Sequence, residues 1–108
     1  MFQIETLTGV LPALVSPLKE DGTVDGPAID RLVEHVLKGG VHGLLALGST
    51  GETASLDEAA RRHVLRGVIE AARGRVPVLC GVAQSHLAAA RVEVKAAADM
   101  GADAARWL

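Results

Sequence analysis

The chain has 108 residues, of which 49% are hydrophobic, and a formal net charge of −2; this suits one small packed domain and is too apolar for disorder. Its one basic concentration, Arg61, Arg62, Arg66, Arg73 and Arg75, falls in or just after a single predicted helix, which excludes a broad electrostatic footprint for nucleic acid. The lone cysteine, Cys80, excludes an intrachain disulfide, the opening MFQIETLTGV lacks the regions of a signal peptide, and no apolar run approaches the roughly 20 residues of a membrane helix, so a cytoplasmic protein without a membrane partner is expected.

Val10 to Val15 is the first apolar stretch with strand character, and it closes on Ser16-Pro17. Ile29, Leu32, Val33, Val36 and Leu37 then follow the i, i+3, i+4, i+7, i+8 spacing of one buried helix face. Asp25 is the expected N-cap, Pro27 falls in the first turn and Gly39-Gly40 stops the helix. A second strand, Gly43 to Leu47, runs into the small polar loop Gly48-Ser49-Thr50-Gly51-Glu52. The second helix is expected to start at Ser55, which would form a capping box with Glu58, and to carry Leu65, Val68, Ile69 and Ala72 until Gly74. Val76 to Val82 reads as the third strand, with Gln84-Ser85 as a strand-to-helix turn. A third helix is predicted from about His86 to Met100, with Leu87, Ala90, Val94, Ala97 and Ala98 on one face and Gly101 as C-cap. Ala102 to Leu108 forms a weaker fourth strand pattern with no helix after it, so an exposed sheet edge and a chain truncated within that strand are expected.

Strands and helices thus alternate, and strands that are nearly all apolar imply burial on both faces. The expectation is one α/β domain over residues 1–108 with a parallel sheet. A doubly wound sheet and part of an eight-fold barrel both fit the repeat.

In both architectures ligands bind at the carboxyl ends of the strands, where Gly48 to Glu52 falls. Two glycines would let the backbone turn tightly and bring its N–H groups near a ligand, and the Ser49 and Thr50 hydroxyls add donors; an anion with several oxygens suits them. The phosphate-loop pattern requires a lysine after its second glycine, where this chain has Glu52, and the G-x-G-x-x-G fingerprint is missing as well. The plain alternative is an ordinary strand-to-helix turn rich in small residues. Cys80, inside an apolar strand and without a base, reads as a core residue. His35, His42, His63 and His86 share no metal-ligand spacing, so no metal is expected; separately, no cofactor is expected.

Three stretches, GVLPALVSPLKEDGTVD (Gly9 to Asp25), GGVHGLLALGSTGETASLDEAAR (Gly39 to Arg61) and RVPVLCGV (Arg75 to Val82), with MGADA (Met100 to Ala104), span almost the whole chain. In this order they resemble the N-terminal third of the dihydrodipicolinate synthase and N-acetylneuraminate lyase family, the pyruvate-handling Schiff-base aldolases. The resemblance implies a TIM (β/α)8 barrel, of which this chain supplies about the first three and a half units. It also implies that Ser49 and Thr50 bind the carboxylate of pyruvate or another 2-oxo acid, that Ser49 helps a tyrosine relay protons, and that Gly48 and Gly51 shape the loop. Glu52 would be structural, and Ser16-Pro17 would line the same end of the barrel.

The family's nucleophile is a lysine on the sixth strand, whose imine with the substrate serves as electron sink. That strand and the fifth-strand tyrosine correspond to positions past residue 108, and the chain contains no tyrosine. Lys19, Lys38 and Lys95 fall in a loop, a helix end and a helix face. The chain is therefore expected to carry the carboxylate loop yet be inactive alone. Arg106-Trp107 departs from the family's apolar fourth strand. Gly81-Val82-Ala83-Gln84-Ser85 replaces a glycine-threonine-rich run that carries an asparagine in some branches, a difference that weakens an assignment to dihydrodipicolinate synthase itself and leaves the wider lyase and aldolase group open. A second reading is a non-catalytic partial-barrel domain that forms a homo-oligomer or assembles with a complementary fragment, favoured by the exposed edge and Trp107.

Overall fold

The computed structural model describes residues 2, 3, 5 and 7–107; the end of the fourth strand pattern at residue 108 lies outside them. Helix α1, Gly26–Lys38, starts as expected: the Asp25 carboxylate accepts the Ala28 N–H at 3.1 Å, and Pro27 occupies the first turn, where its missing N–H has no intrahelical partner to lose. Ile29 and Val33 are wholly buried, with Leu32, Val36 and Leu37 packed around them.

Strand β1, Leu44–Ala46, is buried along its length. A single 3-10 turn, Thr53–Ser55, precedes α2, Glu58–Ala72. Here the expected cap is corrected. Ser55 closes the 3-10 turn, Leu56 is extended, and the N-cap of α2 is Asp57, whose carboxylate accepts the Ala60 N–H at 2.7 Å. A carboxylate at this position satisfies an orphan donor and also meets the positive end of the helix. Glu58, freed from capping, pairs with Arg62 one turn on. Asp57→Ala is therefore expected to cost about 1 kcal/mol in urea denaturation, and Ser55→Ala at most about half as much. The helix ends one residue earlier than expected, with Arg73 rather than Gly74 as its left-handed C-cap.

Strand β2, Val78–Val82, leads to α3, Leu87–Met100, closed by Gly101 at φ 107. The predicted inner face of α3 is only partly right: Ala90 and Ala97 are buried, but Leu87, Val94 and Ala98 are exposed, and Ala89, Glu93, Ala96 and Met100 turn inward. An alanine-rich helix offers weak apolar contrast, so polar contacts help set its rotation. Glu93 is drawn inward by the Arg61 guanidinium at 3.0 Å and the Gln84 amide at 3.1 Å.

Strand β3, Ala104–Trp107, completes a parallel sheet in the order β1-β2-β3. The segment Val10 to Val15 adds to the other side of β1, but as an isolated parallel bridge, Ala13 to Leu45, rather than a regular strand. Leu14 donates to the Leu45 carbonyl at 2.9 Å and Leu45 to the Pro12 carbonyl at 3.0 Å, while Pro12 has no N–H to extend the ladder.

Every strand joins the same advancing edge, so right-handed crossovers put all the helices on one side, as in a barrel and as in one half of a doubly wound sheet. The packing agrees. Leu44, Ala46, Val78 and Cys80 join Val33, Val64, Leu65 and Val68 in one core on the helix side, and alternation turns Leu45, Leu79 and Gly81 to the opposite face.

The basic concentration is mostly neutralised within the fold. Arg73 and Arg75 both reach Glu34 of α1, Arg62 pairs with Glu58, and Arg61 with Glu93. The hydrogen bond from Arg75 is the main cause that holds the Glu34 carboxyl below its ordinary range. These exposed pairs add little stability, but they set a carboxylate beside four of the five arginines of the cluster. Among the described residues no helix is long and apolar enough to cross a membrane.

Candidate functional site

The parallel arrangement collects the carboxyl ends of the strands along one rim. There the chain leaves β1 through Leu47, whose backbone is left-handed at φ 61, passes Gly48-Ser49-Thr50-Gly51 and turns again at Glu52, also left-handed at φ 58. The two residues with positive φ are thus not the loop glycines, which corrects the expected reason for them. Gly48 and Gly51 supply space. A Cβ on Gly51 would lie 3.1 Å from the Leu14 carbonyl oxygen and 3.2 Å from the Leu47 nitrogen, and one on Gly48 would lie 3.3 Å from the Leu45 side chain.

The loop is held from below. The buried Ser16 hydroxyl donates to the Gly51 carbonyl at 2.6 Å, which joins the end of the first segment to the loop, and Glu52 N–H returns to the Ser49 carbonyl at 3.0 Å. Thr53 is buried at the loop's exit, with its N–H directed to the Gly48 carbonyl. Above this base Ser49 and Thr50 are exposed, and the N–H groups of Ser49, Thr50 and Gly51 donate to no group among the described residues. Three undonated N–H groups beside two hydroxyls are chemically able to donate to an anionic oxygen pair. Gly48, Ser49, Thr50 and Gly51 lie together in this one loop, and Ser16 reaches it from the first segment. The first helix turn beyond the loop is capped by Asp57, so its dipole is already answered.

The ends of β2 and β3 meet this rim through a different network. Trp107 donates from Nε1 to the Gln84 carbonyl at 2.8 Å, the Gln84 amide donates to Glu93, and Arg61 bridges Glu93 and the Leu56 carbonyl. Behind it, between α2, α3 and β2, lies a cavity of about 330 Å³ lined by Leu65, Cys80, Val92 and Met100 with Arg61 and Glu93 among its walls. It opens on the helix side of the sheet, away from Ser49 and Thr50, and its polar groups satisfy one another.

Cys80 faces this interior. Burial, with the Glu93 charge adding and Arg61 opposing, pushes its thiol up to about 11 from 9.0. The folded state keeps the proton that the unfolded chain gives up first, so the associated stability is complete below pH 9 and falls as pH rises from 9 toward 11. Native chain should thus resist iodoacetamide at pH 8 while urea-unfolded chain reacts, as intact mass would show. The histidines lie apart: His35 and Lys38 in the last turn of α1, His63 within α2, His86 at the cap of α3. His42 instead accepts the Val10 N–H through Nδ1 at 2.9 Å. Among the described residues no group of three or more His, Cys, Asp or Glu is arranged for a metal ion. Lys19 lies in a tight turn and Lys95 pairs with Asp99 on α3, so no lysine stands on a strand.

Known proteins share this arrangement. Residues 6–108 match the dihydrodipicolinate synthetase family. The chain belongs to this family. A 4-hydroxy-tetrahydrodipicolinate synthase of Phenylobacterium zucineum is 47% identical over 97 residues, which cover 90% of this chain and 33% of that protein. Among solved structures, a dihydrodipicolinate synthase of Acinetobacter baumannii complexed with pyruvate superposes with a TM-score of 0.89 at 36% identity, covering 94% of this chain and 35% of that one. An N-acetylneuraminate lyase of Mycoplasma synoviae gives a TM-score of 0.87 at 26% identity, covering 97% and 37%. The chain thus spans about a third of the length of the relatives it matches. With these barrel enzymes as neighbours, its one-sided α/β sheet is the N-terminal part of a TIM (β/α)8 barrel.

Two contacts, one at the rim and one at the opposite end, lie outside the sequence-based expectations. Ser16 was expected only to line the site; that it anchors Gly51 depends on how the two segments pair. Asp103, which binds backbone at the amino ends of the strands, fell inside the expected strand pattern of Ala102 to Leu108, whereas β3 starts one residue after it.

Proposed function

We propose that this chain supplies the carboxylate-recognising part of a lyase or aldolase of the dihydrodipicolinate synthase and N-acetylneuraminate lyase type. Pyruvate or another 2-oxo acid would be held at Gly48 to Gly51, with Ser49 and Thr50 donating hydroxyls and Ser49 relaying a proton. The observation that carries this is the set of undonated N–H groups at Ser49, Thr50 and Gly51 beside two exposed hydroxyls, in a family with a member solved with pyruvate.

The reaction proceeds through a Schiff base. A lysine amine attacks the 2-oxo carbon, water leaves, and the imine takes up the electrons released when a bond to the adjacent carbon breaks. None of the three lysines here lies on a strand facing the loop, and no tyrosine is available as proton relay. The 108-residue chain therefore binds without forming the imine and is inactive alone. Borohydride reduction in the presence of pyruvate, read by intact mass, is expected to leave the mass unchanged; a stoichiometric adduct would overturn the claim. A cytoplasmic setting fits the single buried thiol.

The exposure of β3 favours a second reading, a non-catalytic partial-barrel domain that self-associates or assembles with a complementary fragment. Its last three residues are exposed, with Trp107 at 57%, and an open strand edge is a template for pairing. In size-exclusion chromatography a concentration-independent monomer would exclude the self-associating form of this second reading.

A further inference from the structure

On the sheet face turned away from the helices, β2 and β3 pair so that Gly81 lies beside Arg106. Gly81 in turn lies against the loop, for a Cβ there would stand 3.1 Å from the Gly48 Cα. Neighbouring strands are about 4.8 Å apart, so a short path runs from Arg106, across a residue with no side chain, to Gly48 and its Ser49-Thr50 neighbours. Leu45, Leu79 and Ala104 share this face through the same register and alternation, which makes Arg106 its one charged side chain among the three strands.

Arg61, Arg62, Arg73 and Arg75 are each paired with a glutamate, whereas Arg106, like Arg31, Arg66 and Arg91 on the helices, makes no ion pair or hydrogen bond among the described residues and is exposed; of these four, Arg106 alone lies on a strand. A guanidinium presents paired N–H donors whose geometry matches a carboxylate. We propose that Arg106 is the counter-charge for the carboxylate received by the Gly48–Gly51 loop, so that this site prefers a 2-oxo acid anion to its neutral amide. The inference rests on the reading of that loop as a carboxylate receptor.

The test uses the 108-residue chain labelled with 15N and titrated with pyruvate and, separately, with pyruvamide. Pyruvate is expected to shift the amide resonances of Gly48 to Gly51 saturably and to bind more tightly than pyruvamide. Arg106→Gln should weaken pyruvate about fivefold, the effect of one partly solvated charge-assisted contact, and leave pyruvamide unchanged. Arg106→Lys should recover part of the loss, and Thr50→Val should weaken both ligands. If Arg106→Gln binds pyruvate like the parent while Thr50→Val does not, the loop reading stands and the role of Arg106 is overturned. Equal affinity of the parent chain for pyruvate and pyruvamide overturns it without recourse to any variant. If pyruvate moves none of the loop resonances, the loop reading and this inference fall together.

Discussion

Gly81→Ala is expected to lower stability by about 3 kcal/mol, the upper range for forcing a methyl group into a packed site, seen as a reduced urea midpoint at unchanged slope. The added Cβ would fall 2.2 Å from the Leu47 carbonyl oxygen and 2.8 Å from its carbon. These are backbone atoms, so no side chain can rotate away to relieve the contact. Relief requires moving Leu47, whose left-handed turn takes the chain out of β1 and into the loop. The loop would move with it, and the pyruvate-induced shifts at Gly48 to Gly51 should disappear even where the variant remains folded. Gly74→Ala is the contrasting case: no atom lies within 4 Å of the added methyl and only its φ of +70 opposes it, so about 1 kcal/mol is expected.

This contrast also shows what could be read from the residues and what could not. The first helix was legible to its cap because Asp25, Pro27 and the apolar spacing all act within a few residues of one another. The loop itself, Gly48 to Glu52 after a buried strand, was legible because its composition is local. The role of Gly81 was not, because the atoms that exclude a side chain there belong to Leu47, brought close only by pairing of β1 with β2. The cap of α2 was misread for a related reason: Ser55 and Asp57 are both good caps, and the 3-10 turn through Thr53 to Ser55 decides between them. The rotation of α3 depended on Arg61 and Gln84 reaching Glu93, contacts spanning 32 and 9 residues of sequence. Strand order has no local sequence signal at all, and the choice between a barrel and a doubly wound sheet came from the solved structures that this chain superposes on.

The opposite end of the sheet has its own tie, and Asp103→Ala is expected to remove about 3 kcal/mol there. One carboxylate oxygen of Asp103 accepts the Val78 N–H at 2.9 Å, the other accepts the Phe2 N–H at 3.0 Å, and its own N–H donates to the Val78 carbonyl at 2.9 Å. The side chain thus joins the N-terminal segment to β2 just before β3 begins. Val78 is 3% exposed, so truncation strands its donor away from water; an unsatisfied buried donor costs about 1–3 kcal/mol, and a charge-assisted bond is lost with it. Asp103→Asn keeps one acceptor oxygen and should lose about half as much. Hydrogen exchange locates the effect: in Asp103→Ala the Val78 amide should exchange faster, with the Cys80 amide little changed. Because Asp103 lies at the amino ends of the strands and the loop at their carboxyl ends, the folded variant should retain its pyruvate-induced shifts. That outcome would separate the end of this partial barrel that holds it together from the end that receives a ligand.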